Sequence, residues 1–229
     1  MGHSFHRCLS FAALAVLAGL GGLAAGVECW HDGGSVSDST DRLVASRIVQ
    51  GDEEAFRQVF RTNLDAVRAV IFRIAGPTQD LDDLVQTTFV EVFRSCGSFR
   101  GDCPLGAWIR GVAARVALHG IRSMRRASRL VLVEQPDRPA DGPDPHAACV
   151  TGQRLDRLRA ALQRLDPEKR AVLVLHEVEG LGVADIAEAL GLSLPATKAR
   201  LLRGRAELVR LAGEDQVLAE LLAEGDHEG

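Results

Sequence analysis

Lys198, Arg200, Arg203, Arg205 and Arg210 crowd into one short stretch near the carboxy end. Cations at this density neutralise phosphates, and the side chains between them can meet base edges or thymine methyls. Read as a helix, Thr197, Leu201, Gly204 and Leu208 fall on one face and pack inward. Lys198, Ala199, Leu202 and Arg205 are left outward or on the flank. Ser193 caps the helix, and Pro195 is tolerated in its first turn. The expected division is Lys198, Ala199 and Leu202 on base edges or methyl groups, with Arg200, Arg203 and Arg205 on phosphates. Ser193 and Thr197 complete this candidate duplex-DNA surface.

Such a helix needs a platform, and the preceding residues supply one. Asp166-Pro167 is a start signal, a capping carboxylate followed by proline at the first helical position. Val172, Leu173, Leu175 and Val178 line one broad face until Gly180 and Gly182 break the helix. A second helix, Val183 to Leu190, ends at Gly191, which suits a left-handed backbone. Helix, tight turn and basic helix make a helix-turn-helix, whose last helix enters the major groove. A basic helix alone would read as a solvated surface; the phrase D-I-A-E-A-L-G-L-S before it outweighs that reading.

A second constellation lies upstream. From Leu81, the residues Leu84, Val85, Thr88, Phe89, Val92 and Phe93 form a wide apolar stripe opposite Asp82, Asp83, Gln86, Thr87 and Glu91. Periodicity alone makes this a core helix with a solvated acidic face; Asp80 begins it with a pattern close to a capping box. Ser98, Phe99, Arg100, Gly101, Asp102 and Cys103 form a polar loop. Pro104 opens a long helix to about Ala127, with Leu105, Trp108, Ile109, Val112 and Val116 on its apolar side. Arg110, Arg115, Arg122, Arg125 and Arg126 give it charge. A loop followed by an arginine-bearing helix suits single-stranded nucleic acid; Trp108 itself reads as a core residue. Between Asp41 and Gly76 the pattern is of amphipathic helices, with Leu43, Val44 and Ile48 on one face and Asp52 as a cap.

The formal net charge of −4 argues against a protein that coats DNA nonspecifically, while local basic patches remain able to bind it. Five cysteines form no C-x-x-C pair and no Cys/His cluster of zinc spacing, so reduced thiols are expected. No Walker-type phosphate loop and no Ser/His/Asp constellation occurs, and His119 and His176 stand isolated. The expectation is a non-enzyme without a cofactor or metal.

Both constellations carry a family resemblance. LDPEKRAVLVLHEVEGL, ADIAEALGLS and TKARLLRGRAEL resemble region four of the extracytoplasmic-function (ECF) RNA polymerase sigma factors, bacterial initiation factors; DLVQTTFVEVFRS, SFRGDCPLGAWI and IRSMRR resemble region two. The resemblance implies an all-α chain of two small helical domains joined by a flexible linker. It implies that core RNA polymerase is bound through the clamp of its largest subunit by Asp82, Asp83, Leu84, Gln86, Phe89, Val92 and Phe93. It implies that Ser98 to Leu105, with the arginines that follow, hold a flipped-out base of the melted minus-ten strand. The carboxy-terminal helix would read the minus-thirty-five duplex. An anti-sigma factor is a further implied partner. Gly111 and Ala114 stand where relatives often carry Arg, Arg115 replaces a frequent Asn, and Ala199 a frequent Ser. These departures bear on promoter sequence rather than class.

The domain expectation is 41–127 for the first domain, 128–150 for a Pro-rich linker, 151–211 for the second domain and 212–229 for an acidic tail. Residues 33–40 form a shorter linker. Residues 1–32 hold an uncharged apolar run behind Arg7, and three readings stand: a mis-assigned start, a membrane anchor, or a signal-like segment. The competing functional class is a membrane-tethered helix-turn-helix regulator acting without polymerase, for which the D-L-V-Q-T-T-F helix would have no use.

Overall fold

The computed structural model describes residues 37–130 and 150–219. Every regular element among them is helical: α1 (Ser37–Val49), α2 (Glu53–Ala75), α3 (Leu81–Ser95), α4 (Leu105–Leu130), α5 (Val150–Arg164), α6 (Pro167–Leu173), α7 (Val183–Leu190) and α8 (Leu194–Gly213). The first four make one domain. Its centre is the contact of α2 with α4, where Val67, Val70, Ile71 and Ile74 meet Ile109, Val112 and Ala113, all essentially without exposure. Each such Val or Ile side chain stabilises the fold by about 1.5–3 kcal/mol. Asp52 caps α2, accepting from the Ala55 N–H at 3.0 Å. Asp80 makes no side-chain cap to α3; the Thr78 hydroxyl instead accepts from the Asp80 N–H at 3.2 Å, so the capping-box expectation fails. Leu43 also departs from expectation: it is 62% exposed, and Ala45 and Ile48 bury the α1 face instead.

The second domain is α5 to α8. Asp166 accepts from the Glu168 N–H, and Pro167 sits in the first turn of α6, as the sequence implied. Past Leu173 the helix widens into a π turn over Val174–Val178, which the apolar pattern did not announce. Gly191 is left-handed at φ 65°, and Ser193 accepts from the Ala196 N–H. Gly204 lies where a Cβ would come within 3.0 Å of Leu173 Cδ1, so the small residue lets α8 settle on α6. The segment 131–149, most of the linker, lies outside the described residues, as do residues 1–36 and the end of the acidic tail. No helix among the described residues is long and apolar enough to cross a membrane.

The two domains share one continuous apolar core. Arg170 stitches them. It is 4% exposed and donates to the carbonyl of Ile74 in the first domain and to those of Gln163 and Leu165 in its own. Burial pulls its guanidinium down to about 10, so it remains a cation at neutral pH.

Candidate nucleic-acid interface

The helix-turn-helix is α7, a turn at Gly191–Ser193, and α8. Lys198, Leu202 and Arg203 point to solvent, Leu202 at 52% exposure, and Ala199 is half-buried beside them. Lys198 and Arg203 make no ion pair among the described residues. Arg200 and Arg205 differ. Arg200 donates to Glu168 at 2.6 and 3.1 Å, and Arg205 donates to Glu177 at 2.6 Å, the latter carboxylate being 4% exposed. The hydrogen bond from Arg200, then the one from Arg122, hold the Glu168 carboxyl below its ordinary range. Thr197 is fully buried and donates to the Ser193 carbonyl at 3.1 Å. That corrects its place among the DNA-contacting residues: its hydroxyl is used within the helix.

The loop from Ser98 to Pro104 turns at Gly101, where φ is 79°. Phe99 packs against Trp108 at 5.6 Å between centroids with the rings tilted by 59°, and Trp108 stands half-buried at the edge of the core, in the wall of a cleft. The cleft, about 380 Å³, is also lined by Ser98, Arg100, Asp102, Cys103 and Arg115. Leu105 is 5% exposed and its N–H donates to Asp41 at 2.8 Å, so it anchors the loop from inside and does not offer its side chain to a strand. Arg115, Arg125 and Arg126 are exposed along α4, and Arg122 pairs with Glu168 at 2.6 Å. Arg110 is turned inward to Glu179 at 3.1 Å, within ion-pair distance but not aligned for a hydrogen bond.

On α3, Asp82, Asp83 and Gln86 face solvent, Asp82 pairing with Arg68, and Phe93 is 51% exposed. Phe89 and Val92 are 3% and 0% exposed and belong to the core; Leu84 is half-buried against Gly120. A direct polymerase contact through Phe89 or Val92 is therefore corrected: they hold the helix in place. Val90, 46% exposed, completes the solvent-facing row with Gln86 and Phe93, and the i, i+4, i+7 spacing from Gln86 was the signal for it.

Sequence reasoning missed Glu179. It is reached by Arg73 at 2.9 Å and by Arg110, both from the other domain, and burial pushes its carboxyl above the ordinary value against their pull. A Glu directly before a glycine turn carries no local signal of such a partner.

A helix-turn-helix whose last helix presents a basic face to solvent is the architecture of a DNA-binding protein. The family models for Sigma-70 region 2 and Sigma-70 region 4 match residues 59–127 and 155–208. The chain is 30% identical to the ECF RNA polymerase sigma factor SigM of Mycobacterium tuberculosis over 79% of its own length and 88% of that protein. It is 33% identical to the ECF sigma factor SigE of Mycolicibacterium smegmatis, over 69% of its length and 63% of the relative. The solved structure of CnrH in complex with the cytosolic domain of CnrY aligns with a TM-score of 0.54 at 27% identity, covering 77% of this chain and 99% of that one. The chain belongs to the ECF sigma factors of RNA polymerase. It is a transcription initiation factor with core RNA polymerase and promoter DNA as its partners. The polymerase-independent regulator is not favoured.

Proposed function

We propose that Lys198, Ala199 and Leu202 read the minus-thirty-five duplex while Arg203 holds phosphates. The cleft of Phe99 and Trp108 captures a base of the melted minus-ten strand, with Arg115, Arg125 and Arg126 along its backbone. The exposed row of α3, with Asp82, Asp83, Gln86 and Phe93, docks on the polymerase clamp. The action is binding without catalysis: one strand is trapped and no bond is cleaved. The site of action is the cytoplasm, where template and polymerase are. The observation that carries this reading is the solvent-facing trio Lys198, Leu202 and Arg203 on a helix whose other arginines are tied down. CnrH was solved with the cytosolic domain of CnrY, and an anti-sigma protein of that kind is proposed for this chain too. Pull-down of core polymerase by the chain, followed by run-off transcription on genomic DNA, tests the whole. New discrete start sites are expected; retention on DNA with no polymerase bound would sink it.

A further inference from the structure

Leu202 is left 52% exposed on α8. One exposed leucine means little by itself; the residues in line with it make it informative. Pro195, Ala199 and Leu202 stand at i, i+4 and i+7 and form one row along the solvent side of the helix, Pro195 exposed and Ala199 half-buried. The buried row Thr197, Leu201, Gly204 and Leu208 faces the other way. Leu194, 42% exposed, widens the apolar row at its amino end. Lys198 borders the row on one edge and Arg203 on the other, both exposed. An apolar strip between two cations matches the floor of a major groove between its two phosphate backbones. From Pro195 to Leu202 the helix rises about 10 Å, which is about three base steps. The amino-terminal residues of the second helix are the ones that reach base edges in this motif.

The side chains of Pro195, Ala199 and Leu202 offer a duplex no hydrogen-bond donor and no acceptor. One major-groove group suits such a surface, the C5 methyl of thymine, which cytosine lacks. We infer that α8 selects thymines by their methyl groups, with Leu202 as the specificity-determining residue and Pro195 and Ala199 beside it. Lys198 adds a single hydrogen-bonding contact at the border of the row, and Arg203 holds the backbone. The inference rests on the reading of α8 as the duplex-reading helix, and it names the chemical group that is read.

The test is selection of short duplexes with a randomised centre on core RNA polymerase carrying the full chain. The retained duplexes should share thymines at neighbouring base pairs. Each is then resynthesised with uracil in place of one thymine, which keeps the pairing and removes only the methyl. Loss of one methyl contact should weaken binding about fourfold. Leu202→Ala should bring the thymine-to-uracil affinity ratio close to one at one position and leave the salt slope unchanged, because no charge is lost. Leu202→Met, similar in volume, should keep the ratio. Arg203→Ala should do the reverse of Leu202→Ala, lowering the salt slope and leaving the ratio. Alanine is a good helix former and Leu202 is exposed, so the fold of the variant is not at stake. Equal binding of thymine and uracil duplexes by the parent, or an unchanged ratio in Leu202→Ala, overturns the inference. Retention of no duplex at all overturns the reading of α8 on which it rests.

Discussion

Helix α8 and the Ser98–Pro104 loop, the proposed duplex-reading and strand-binding parts, both carry arginine, and the folded chain treats them differently. On α8 the side chains assigned to reading face solvent, while the acidic residues lie beneath and beside them, Glu177 on Arg205 and Glu168 on Arg200. On the loop, Arg100 is itself the paired residue, held by Asp102 at 2.9 Å and by Glu188 of the opposite domain. One surface is displayed and the other is covered. Arginine count therefore says little about where DNA is met; the carboxylate facing each guanidinium says more.

The strongest way to press this is the arginine that meets no solvent. Arg170→Met removes the donor to the carbonyls of Ile74, Gln163 and Leu165. Leaving buried acceptors unpaired costs about 1–3 kcal/mol for each that finds no water, so the expected loss is about 2–4 kcal/mol. Urea denaturation monitored by circular dichroism measures it. Full stability in the variant would mean that the buried arginine is not what joins the domains.

Next comes the contrast within α8. Arg205→Ala strands the buried Glu177 carboxylate and is expected to cost about 1–3 kcal/mol of stability. Arg203→Ala, exposed and unpaired among the described residues, should change stability by less than about 0.5 kcal/mol. It should instead weaken duplex binding on every sequence and reduce the slope of log affinity against log salt by about one. If Arg205→Ala reduces the salt slope as much, Arg205 leaves Glu177 for a phosphate on binding and the division of the two roles is wrong.

The local structure of this helix-turn-helix was legible because each joint has its own chemistry: Asp166-Pro167, Gly191 and Ser193 all stand where their side chains or backbone freedom require. The inward face Thr197, Leu201, Gly204, Leu208 was legible by spacing alone, and all four are buried. What could not be read was pairing at long range. Nothing near Glu179 announces Arg73, and nothing near Glu188 announces Arg100, because the partners are set by how two domains dock. The same gap explains Phe89 and Val92: resemblance assigned them by position in a motif, whereas burial is decided by which side of α3 meets α2 and α4. Trp108 was read as core, and stands at the edge of the core, in the wall of the cleft where Phe99 folds back on it.

Ser193 offers a smaller effect on the displayed surface. As a cap its removal by Ser193→Ala should cost about 1 kcal/mol, and Ser193→Gly only a few tenths. Thermal melts read the difference. If Ser193 serves only as a cap, duplex affinity should be unchanged in both variants wherever the helix is fully folded. A loss in Ser193→Gly equal to that in Ser193→Ala would assign the hydroxyl to DNA.

The smallest effect separates two glutamates of the domain junction by pH. Glu168 pairs with Arg200 and with Arg122 of the first domain, and Arg200 above all holds its carboxyl below the ordinary 4.5. A depressed carboxyl adds stability that is present above the unfolded value and is lost as pH falls through the folded one. The difference between parent and Glu168→Gln should therefore be constant at neutral pH and shrink below 4.5. Glu179 runs the other way. Burial raises its carboxyl above 4.5, so its contribution is fully present below that value and diminishes as pH rises through the folded one. The difference between parent and Glu179→Gln should change above 4.5, where that for Glu168→Gln is flat. Urea midpoints across the acid range separate the two windows. Parallel curves for the two variants would mean that the half-buried Glu168 and the more deeply buried Glu179 share one environment, which their different burial does not allow.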